Sequence, residues 1–338
     1  MKKTIRVFHP ENVEMKRIFT KFGIQSLYHF TAVDNLSIIS ECGGLWSKQK
    51  LEQAGLLEKI ITGGNQLSLS LDKNLGNWDK VHLYFCPNTP MAYRIQQNPE
   101  GRNPQGSHIC YLVIDPMVAT WDGVFFTDTN ATQKIDGHQR KQGLQGLGLI
   151  DFDTIKAHLA KRWVEPKQKW HRNVQAECLV PDEIPIEHIR EITFISQASL
   201  KEGMRVWGKF GHPTFNIDKN LFSSGFPLVD DFKLTPEEVA KDKVDATTFQ
   251  DKTAFSKKWD NKITILLRIY ITACGRAKFI WRDNAGNLIL EENTDFERES
   301  RYWHWSNLDI ENLDIGSFSV EYYLNDTRWI KASFKIKE

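Results

Sequence analysis

Three short runs of apolar and aromatic residues constrain the fold of this chain more than any other feature: Val81 to Cys86 (VHLYFC), Ile109 to Ile114 (ICYLVI) and Val124 to Thr127 (VFFT). Each is bounded by proline, glycine, asparagine or aspartate, and runs so short and continuous read as buried strands. Gln25 to Phe30, Val174 to Val180 and Ile189 to Ile195 read the same way, so a mixed sheet is expected. Helical spacing lies between these runs. Val13, Met15, Ile18, Phe19 and Phe22 recur three and four apart and suggest an amino-terminal helical appendage over residues 1–24. A brief helix capped by Thr31 or Asp34 runs through Ile39 and stops at Gly43-Gly44, and another starts at Asp151 with Ile155, Leu159 and Trp163 on one face.

A chain of 338 residues suggests about two domains of ~100 to 200 residues each. The polar stretch LTPEEVAKDKVD at residues 234–245 places the boundary, giving a first domain over 1–230, a linker over 231–254 and an all-β module over 255–338. Within that module Ile263 to Thr272 alternates, and Ala277 to Trp281 and Leu288 to Leu290 flank an Asp283-Asn284-Ala285-Gly286 turn. Phe318 to Leu324 pairs with Trp329 to Ile336 across Asn325-Asp326. The ending is similar to the last two strands of immunoglobulin-like appendages, so the fold class expected is an α+β domain followed by an immunoglobulin-like β-sandwich.

Composition narrows the function classes. With 44 basic and 43 acidic side chains the formal charge is +1, so no global field favours polyanions and any such site must be a local patch. Five cysteines, never in CxxC spacing, argue against both a disulfide framework and a zinc site, and no metal is expected. There is no apolar stretch of signal-peptide or membrane-span length, which reads as a soluble cytoplasmic protein with no membrane partner.

Chemistry concentrates in His171-Arg-Asn-Val-Gln-Ala-Glu-Cys-Leu-Val-Pro181. On a strand alternate side chains share a face, so Gln175 and Glu177 would project together, opposite Val174, Ala176 and Cys178. In context this segment resembles the DarT family of toxins, which ADP-ribosylate bases of single-stranded DNA. The resemblance is carried in order by Leu27-Tyr-His-Phe-Thr-Ala-Val-Asp-Asn-Leu36 with Gly43-Gly-Leu45, by His82-Leu-Tyr-Phe-Cys-Pro-Asn-Thr-Pro-Met-Ala-Tyr93, by Phe125-Phe-Thr-Asp128, and by Gln175-Ala-Glu-Cys-Leu-Val180.

The resemblance implies an ADP-ribosyltransferase fold with a split mixed sheet and flanking helices, and NAD as co-substrate. It makes Glu177 the catalytic glutamate, with Gln175 beside it, and His29 the histidine that orients NAD. Tyr28 and Thr31 flank His29, while Asn35, Gly44 and Leu45 fall on the loop expected near the nucleotide. Tyr84, Met91 and Tyr93 match the stretch near nicotinamide. Such residue types suit the reaction, because loss of nicotinamide develops positive charge on the ribose that a fixed carboxylate stabilises. A tyrosine ring can hold the leaving group dry.

One departure stands out. The family carries an arginine on the loop before the tyrosine-bearing strand, whereas Ser68 to Trp78 here contains none, leaving Lys73 as the nearest cation. A nucleic-acid patch is expected where Lys167, Lys169, Trp170 and Arg172 lead into the Glu177 strand, since cations neutralise phosphates and an aromatic ring stacks on an unpaired base. The partners expected are single-stranded DNA first, RNA second, and an antitoxin or chaperone protein that could dock on the tryptophan-rich module at Trp281, Trp303, Trp305 and Trp329. The alternative reading is a non-catalytic nucleic-acid or NAD binding protein on the same scaffold.

Overall fold

The computed structural model describes residues 6–63, 66–97, 108–133, 139–160, 171–208, 212–223, 228–237, 239, 249–271, 275–297 and 300–338. Two compact units emerge: Met1–Arg102, Ile109–Thr193 and Trp207–Asn216 form the first, and Asn103–His108, Phe194–Val206 and Ile217–Glu338 the second.

In the first unit the strands are β1 (Leu27–Ala32), β2 (Gly44–Trp46), β3 (Lys80–Tyr84), β4 (Ile109–Ile114), β5 (Phe125–Thr127), β6 (Arg140–Gln142), β7 (Glu177–Pro181), β8 (Glu183–Pro185), β9 (Ile189–Phe194) and β10 (Thr214–Ile217). All but β2 and β8 join one sheet in the order β10-β9-β4-β1-β3-β7-β5-β6, while β2 and β8 form a separate ribbon. The helices are α1 (Asn12–Phe22), α2 (Leu36–Cys42), α3 (Lys48–Gln53), α4 (Gln66–Asn74), α5 (Pro90–Gln97), α6 (Gly143–Leu147) and α7 (Phe152–Leu159).

Pairing in this sheet is mostly antiparallel, while β10 advances alongside β9 in the same direction, from the Thr214 hydroxyl on the Arg190 carbonyl to the Asp218 N–H on the Phe194 carbonyl, as a mixed sheet requires. From β9 through β4, β1, β3, β7 and β5 to β6, each pairing is antiparallel. Strands buried on both faces read as continuous apolar runs whichever way their neighbours point, so direction was not encoded in the pattern. One junction is weak. β1 pairs with β4 along its whole length and β3 with β7 along its own, yet β1 and β3 meet only where Tyr28 faces Tyr84. The sheet therefore opens beside that pair.

The helix at the amino terminus is not an appendage. Met15 and Phe19 of α1 are buried, Phe22 stacks on Phe152 of α7 at 4.8 Å, and the Leu144 N–H donates to Glu11 Oε2 at 2.8 Å. Apolar residues repeating three and four apart did mark a helix; they marked equally the face by which it joins the core. The four described cysteines, Cys42, Cys86, Cys110 and Cys178, are buried and free; burial pushes the thiols of Cys86, Cys110 and Cys178 up, which keeps them protonated and unreactive.

The second unit contains α8 (Gln197–Trp207) up to Val206 and the strands β11 (Leu228–Thr235), β12 (Ala254–Ser256), β13 (Lys262–Ile271), β14 (Gly275–Arg282), β15 (Leu288–Phe296), β16 (Ser300–Asp309), β17 (Gly316–Leu324) and β18 (Thr327–Lys337). They form a sheet of order β11-β13-β16 and another of order β12-β18-β17-β14-β15. Side chains meet between the sheets: the Trp281 indole N–H donates to Ser306 Oγ at 2.7 Å, and His304 lies 4.6 Å from the Phe279 ring. The expected hairpin is present, with Asn325 and Asp326 both at positive φ (49° and 62°) as a tight two-residue turn requires.

The segment read as a linker contains most of β11, which pairs with β13. Its charges disguised it. Asp231 is paired with Lys201 at 3.0 Å, and Asp230, just before the segment on the same strand, is buried and held by Lys219 at 3.0 Å and Arg268 at 2.5 Å, so a paired strand looks polar in sequence. Trp303 and Trp305 pack with Phe249 against Val239 and Leu266 rather than forming a free aromatic surface.

Candidate active site

Glu177 opens β7, directly opposite Tyr84 of β3 on one side and Thr127 of β5 on the other. Directly opposed residues on paired strands point to the same face, so three strands converge polar side chains on one spot. The Glu177 side chain is only 1% exposed, and a carboxylate so placed needs donors around it. It has them. Oε2 accepts from His82 Nδ1 at 2.6 Å, and Oε1 from the Ala131 N–H at 3.2 Å. Burial first, then the charges of Glu177 and Asp72 and the contact with Glu177, push the Tyr84 hydroxyl well above its ordinary range and keep it a donor.

Gln175 does not share this face, which corrects the strand expected from Val174. The Gln175 and Ala176 N–H groups are used in a turn, donating to the carbonyls of Arg172 and Asn173 at 3.1 Å each. The Gln175 amide in turn donates to the His171 carbonyl at 2.7 Å. Local hydrogen bonds thus consumed the backbone groups that a strand would have needed.

His29 lies on β1 where the sheet opens. Its Nδ1 is 2.9 Å from the His82 carbonyl, and because a carbonyl only accepts, Nδ1 carries the proton and Nε2 keeps a lone pair. Burial, with smaller contributions from His82 and Lys48, lowers the His29 pKa to about 4 despite the carbonyl contact, so the ring is neutral near pH 7. The neighbouring Phe30 ring stacks on Tyr84 at 5.8 Å. The Tyr84 hydroxyl reaches Met91 Sδ of α5 at 3.9 Å, which brings two residues of the nicotinamide stretch together. Tyr93 does not join them, being 50% exposed on the same helix.

Two of the remaining expected residues have structural partners. Asn35 donates to Thr31 Oγ1 at 3.0 Å and to the Ile61 carbonyl at 2.8 Å, and accepts from the Ile61 N–H at 2.8 Å. Thr31 and Asn35 therefore tie the segment around Ile61 to the end of β1. Gly44 and Leu45 are paired to β8, not in a loop. A Cβ at Gly44 would come 2.4 Å from the Ile184 carbonyl oxygen, so glycine is required there by close strand approach.

The cation beside the site is Lys48, not Lys73. Lys73 spans to Glu52 at 3.2 Å and lies over the Trp78 ring at 5.2 Å, an exposed arrangement. Lys48, at the start of α3, ion-pairs with buried Asp72 of α4. Asp72 in turn lies 3.8 Å from His82 Nε2. Lys48, Asp72 and His82 were missed in sequence. The one available signal was the polar His82 within VHLYF, two positions before Tyr84 and thus on its face.

In the expected nucleic-acid patch, Arg172 is ion-paired with Asp128, while Lys167, Lys169, Trp170 and Trp163, which was expected on the helix from Asp151, lie outside the described residues. Among the described residues no cluster of ligating side chains could hold a metal, and no helix is long and apolar enough to cross a membrane.

Comparison with known proteins bears on the same strands. A family model described as "ssDNA thymidine ADP-ribosyltransferase, DarT" matches residues 28–222, a span that starts at Tyr28 and takes in β3 and β7. Chemistry and scaffold thus fall within the DNA ADP-ribosyltransferases. Because that match takes in more than half of the sequence, the chain belongs to the DarT family.

A DNA ADP-ribosyl transferase of Thermus sp. (strain 2.9) is 25% identical over 187 residues, 54% of this chain and 88% of that protein. A DNA ADP-ribosyl transferase–DNA ADP-ribosyl glycohydrolase fusion protein of Thermosipho africanus is 27% identical over 178 residues, 52% of this chain but only 43% of the fusion. The solved structure of Thermus sp. 2.9 DarT in complex with ADP-ribosylated ssDNA aligns with a TM-score of 0.48 at 21% identity, covering 65% of this chain and all of that one.

Proposed function

We propose that this chain is a toxin that transfers ADP-ribose from NAD+ to thymidine in single-stranded DNA, with Glu177 as the catalytic carboxylate. The observation that carries the residue assignment is Glu177 itself: a buried carboxylate fixed by His82 and the Ala131 N–H, facing Tyr84 at the single-pair junction of β1 and β3. In the reaction Glu177 accepts from the ribose 2′-hydroxyl and stabilises the positive charge that grows on the ribose as its bond to nicotinamide breaks. His29, neutral and oriented by the His82 carbonyl, offers its Nε2 lone pair to the nucleotide. Tyr28, Tyr84 and Met91 supply the surface for the nicotinamide end.

Gln175, committed to the His171 carbonyl, serves to shape the turn before Glu177. Thr31, Asn35, Gly44 and Leu45 hold the walls of the site, and exposed Tyr93 and half-buried Arg172 remain candidates for contacts with the acceptor strand. The two facing sheets of the second unit and their terminal hairpin support an immunoglobulin-like module. The Thermosipho fusion supports a partner with DNA ADP-ribosyl glycohydrolase activity, which would reverse the modification.

Incubating the chain with labelled NAD+ and oligonucleotides of DNA with thymidine, DNA without it, and RNA tests the acceptor. Label is expected only on the thymidine-containing DNA. Label on RNA, or on protein alone, would overturn the acceptor assignment.

A further inference from the structure

Glu177 has several rotatable bonds, and stabilising a developing charge requires the carboxylate to be oriented before the reaction begins. The question is what holds it. Backbone pairing places Glu177 opposite Tyr84, and His82 opposite Leu179, so His82 is a diagonal neighbour on the same face of β3 and β7. From there its Nδ1 reaches Oε2 at 2.6 Å, closer than the Ala131 N–H on Oε1 at 3.2 Å. A carboxylate oxygen can accept more than one bond, so this grip leaves acceptor capacity for a sugar hydroxyl.

The other side of the imidazole makes no hydrogen bond among the described residues. Nε2 faces Asp72 Oδ1 at 3.8 Å, and Asp72 is anchored through its second oxygen by Lys48. The His82 carbonyl meanwhile fixes His29. One residue thus touches both groups assigned to NAD+: its ring holds the carboxylate and its backbone holds the histidine.

We propose that His82 is the positioning residue of the site, its Nδ1–H locking the Glu177 carboxylate. This rests on Glu177 being the catalytic carboxylate. The specific content is that Nδ1 does the work and Nε2 does not. Asparagine places its amide nitrogen near the Nδ1 position, whereas glutamine extends towards the Nε2 position.

The test compares His82→Asn and His82→Gln with the parent and with Glu177→Gln in steady-state transfer from NAD+ to a thymidine-containing DNA strand. His82→Gln is expected to lower kcat on the order of 10²-fold, as loss of alignment does, with KM for NAD+ unchanged. His82→Asn should recover most of the parent kcat. Both substitutions are polar and of similar size, and oligonucleotide binding by each variant reports that it is folded. Equal kcat for the two variants, or a change in KM alone, overturns the proposal. A fully active Glu177→Gln would instead overturn the assignment of the catalytic carboxylate, so the two failures are distinguishable.

Discussion

Substituting Glu177 by glutamine is expected to lower kcat for transfer by on the order of 10²- to 10³-fold, the cost of removing one preorganised group that stabilises transition-state charge. Shape is conserved, so the loss is electrostatic. The carboxylate accepts through both oxygens, from His82 and from Ala131, whereas an amide accepts through one and donates through the other. The shorter His82 contact should keep the amide oxygen, which sets the amide nitrogen against the Ala131 N–H and costs about 1 kcal/mol of stability. Binding of NAD+ should change little, because the charge that the carboxylate stabilises develops only as the bond breaks. Steady-state kinetics on a thymidine-containing strand measure this. A variant that keeps full turnover would favour a binding protein on an enzyme scaffold.

The second large effect concerns the all-β unit. Trp281 is fully buried, packs edge to face on Phe334 at 5.9 Å and donates from its indole to Ser306 across the two sheets. Trp281→Ala removes the largest ring from that core and leaves the Ser306 hydroxyl without this donor. Truncations of this kind cost about 3 to 5 kcal/mol, and the orphaned hydroxyl adds about 1 kcal/mol or more. Urea unfolding followed by fluorescence of the remaining tryptophans should show a markedly lower midpoint for this unit. A loss below about 1 kcal/mol would place Trp281 outside a cooperative core.

Legibility in the sequence followed the physics of each segment. VHLYFC, ICYLVI and VFFT were readable as strands because apolar residues bounded by chain breakers have few other solutions, and they became β3, β4 and β5. Glu177 and His29 were singled out because their flanking motifs resemble a family, not because periodicity marked them. What stayed hidden depended on long-range pairing. Asp231 looked like linker until Lys201 paired with it at 3.0 Å. Lys48, Asp72 and His82 lie on α3, α4 and β3, distant along the chain, and only folding brings them into one file behind Glu177. Gln175 failed as a strand residue for the opposite reason, since its amide and N–H found partners within four residues.

The central claim is that the residue 177 side chain contacts the nicotinamide ribose. The most direct measurement is the distance from that side chain to the ribose 2′-oxygen in a crystal structure of the Glu177→Gln chain with NAD+ bound. A separation of about 3 Å, within hydrogen-bond reach, is the expected result. A ribose bound elsewhere, with the residue 177 side chain engaged only by His82 and Ala131, would contradict it.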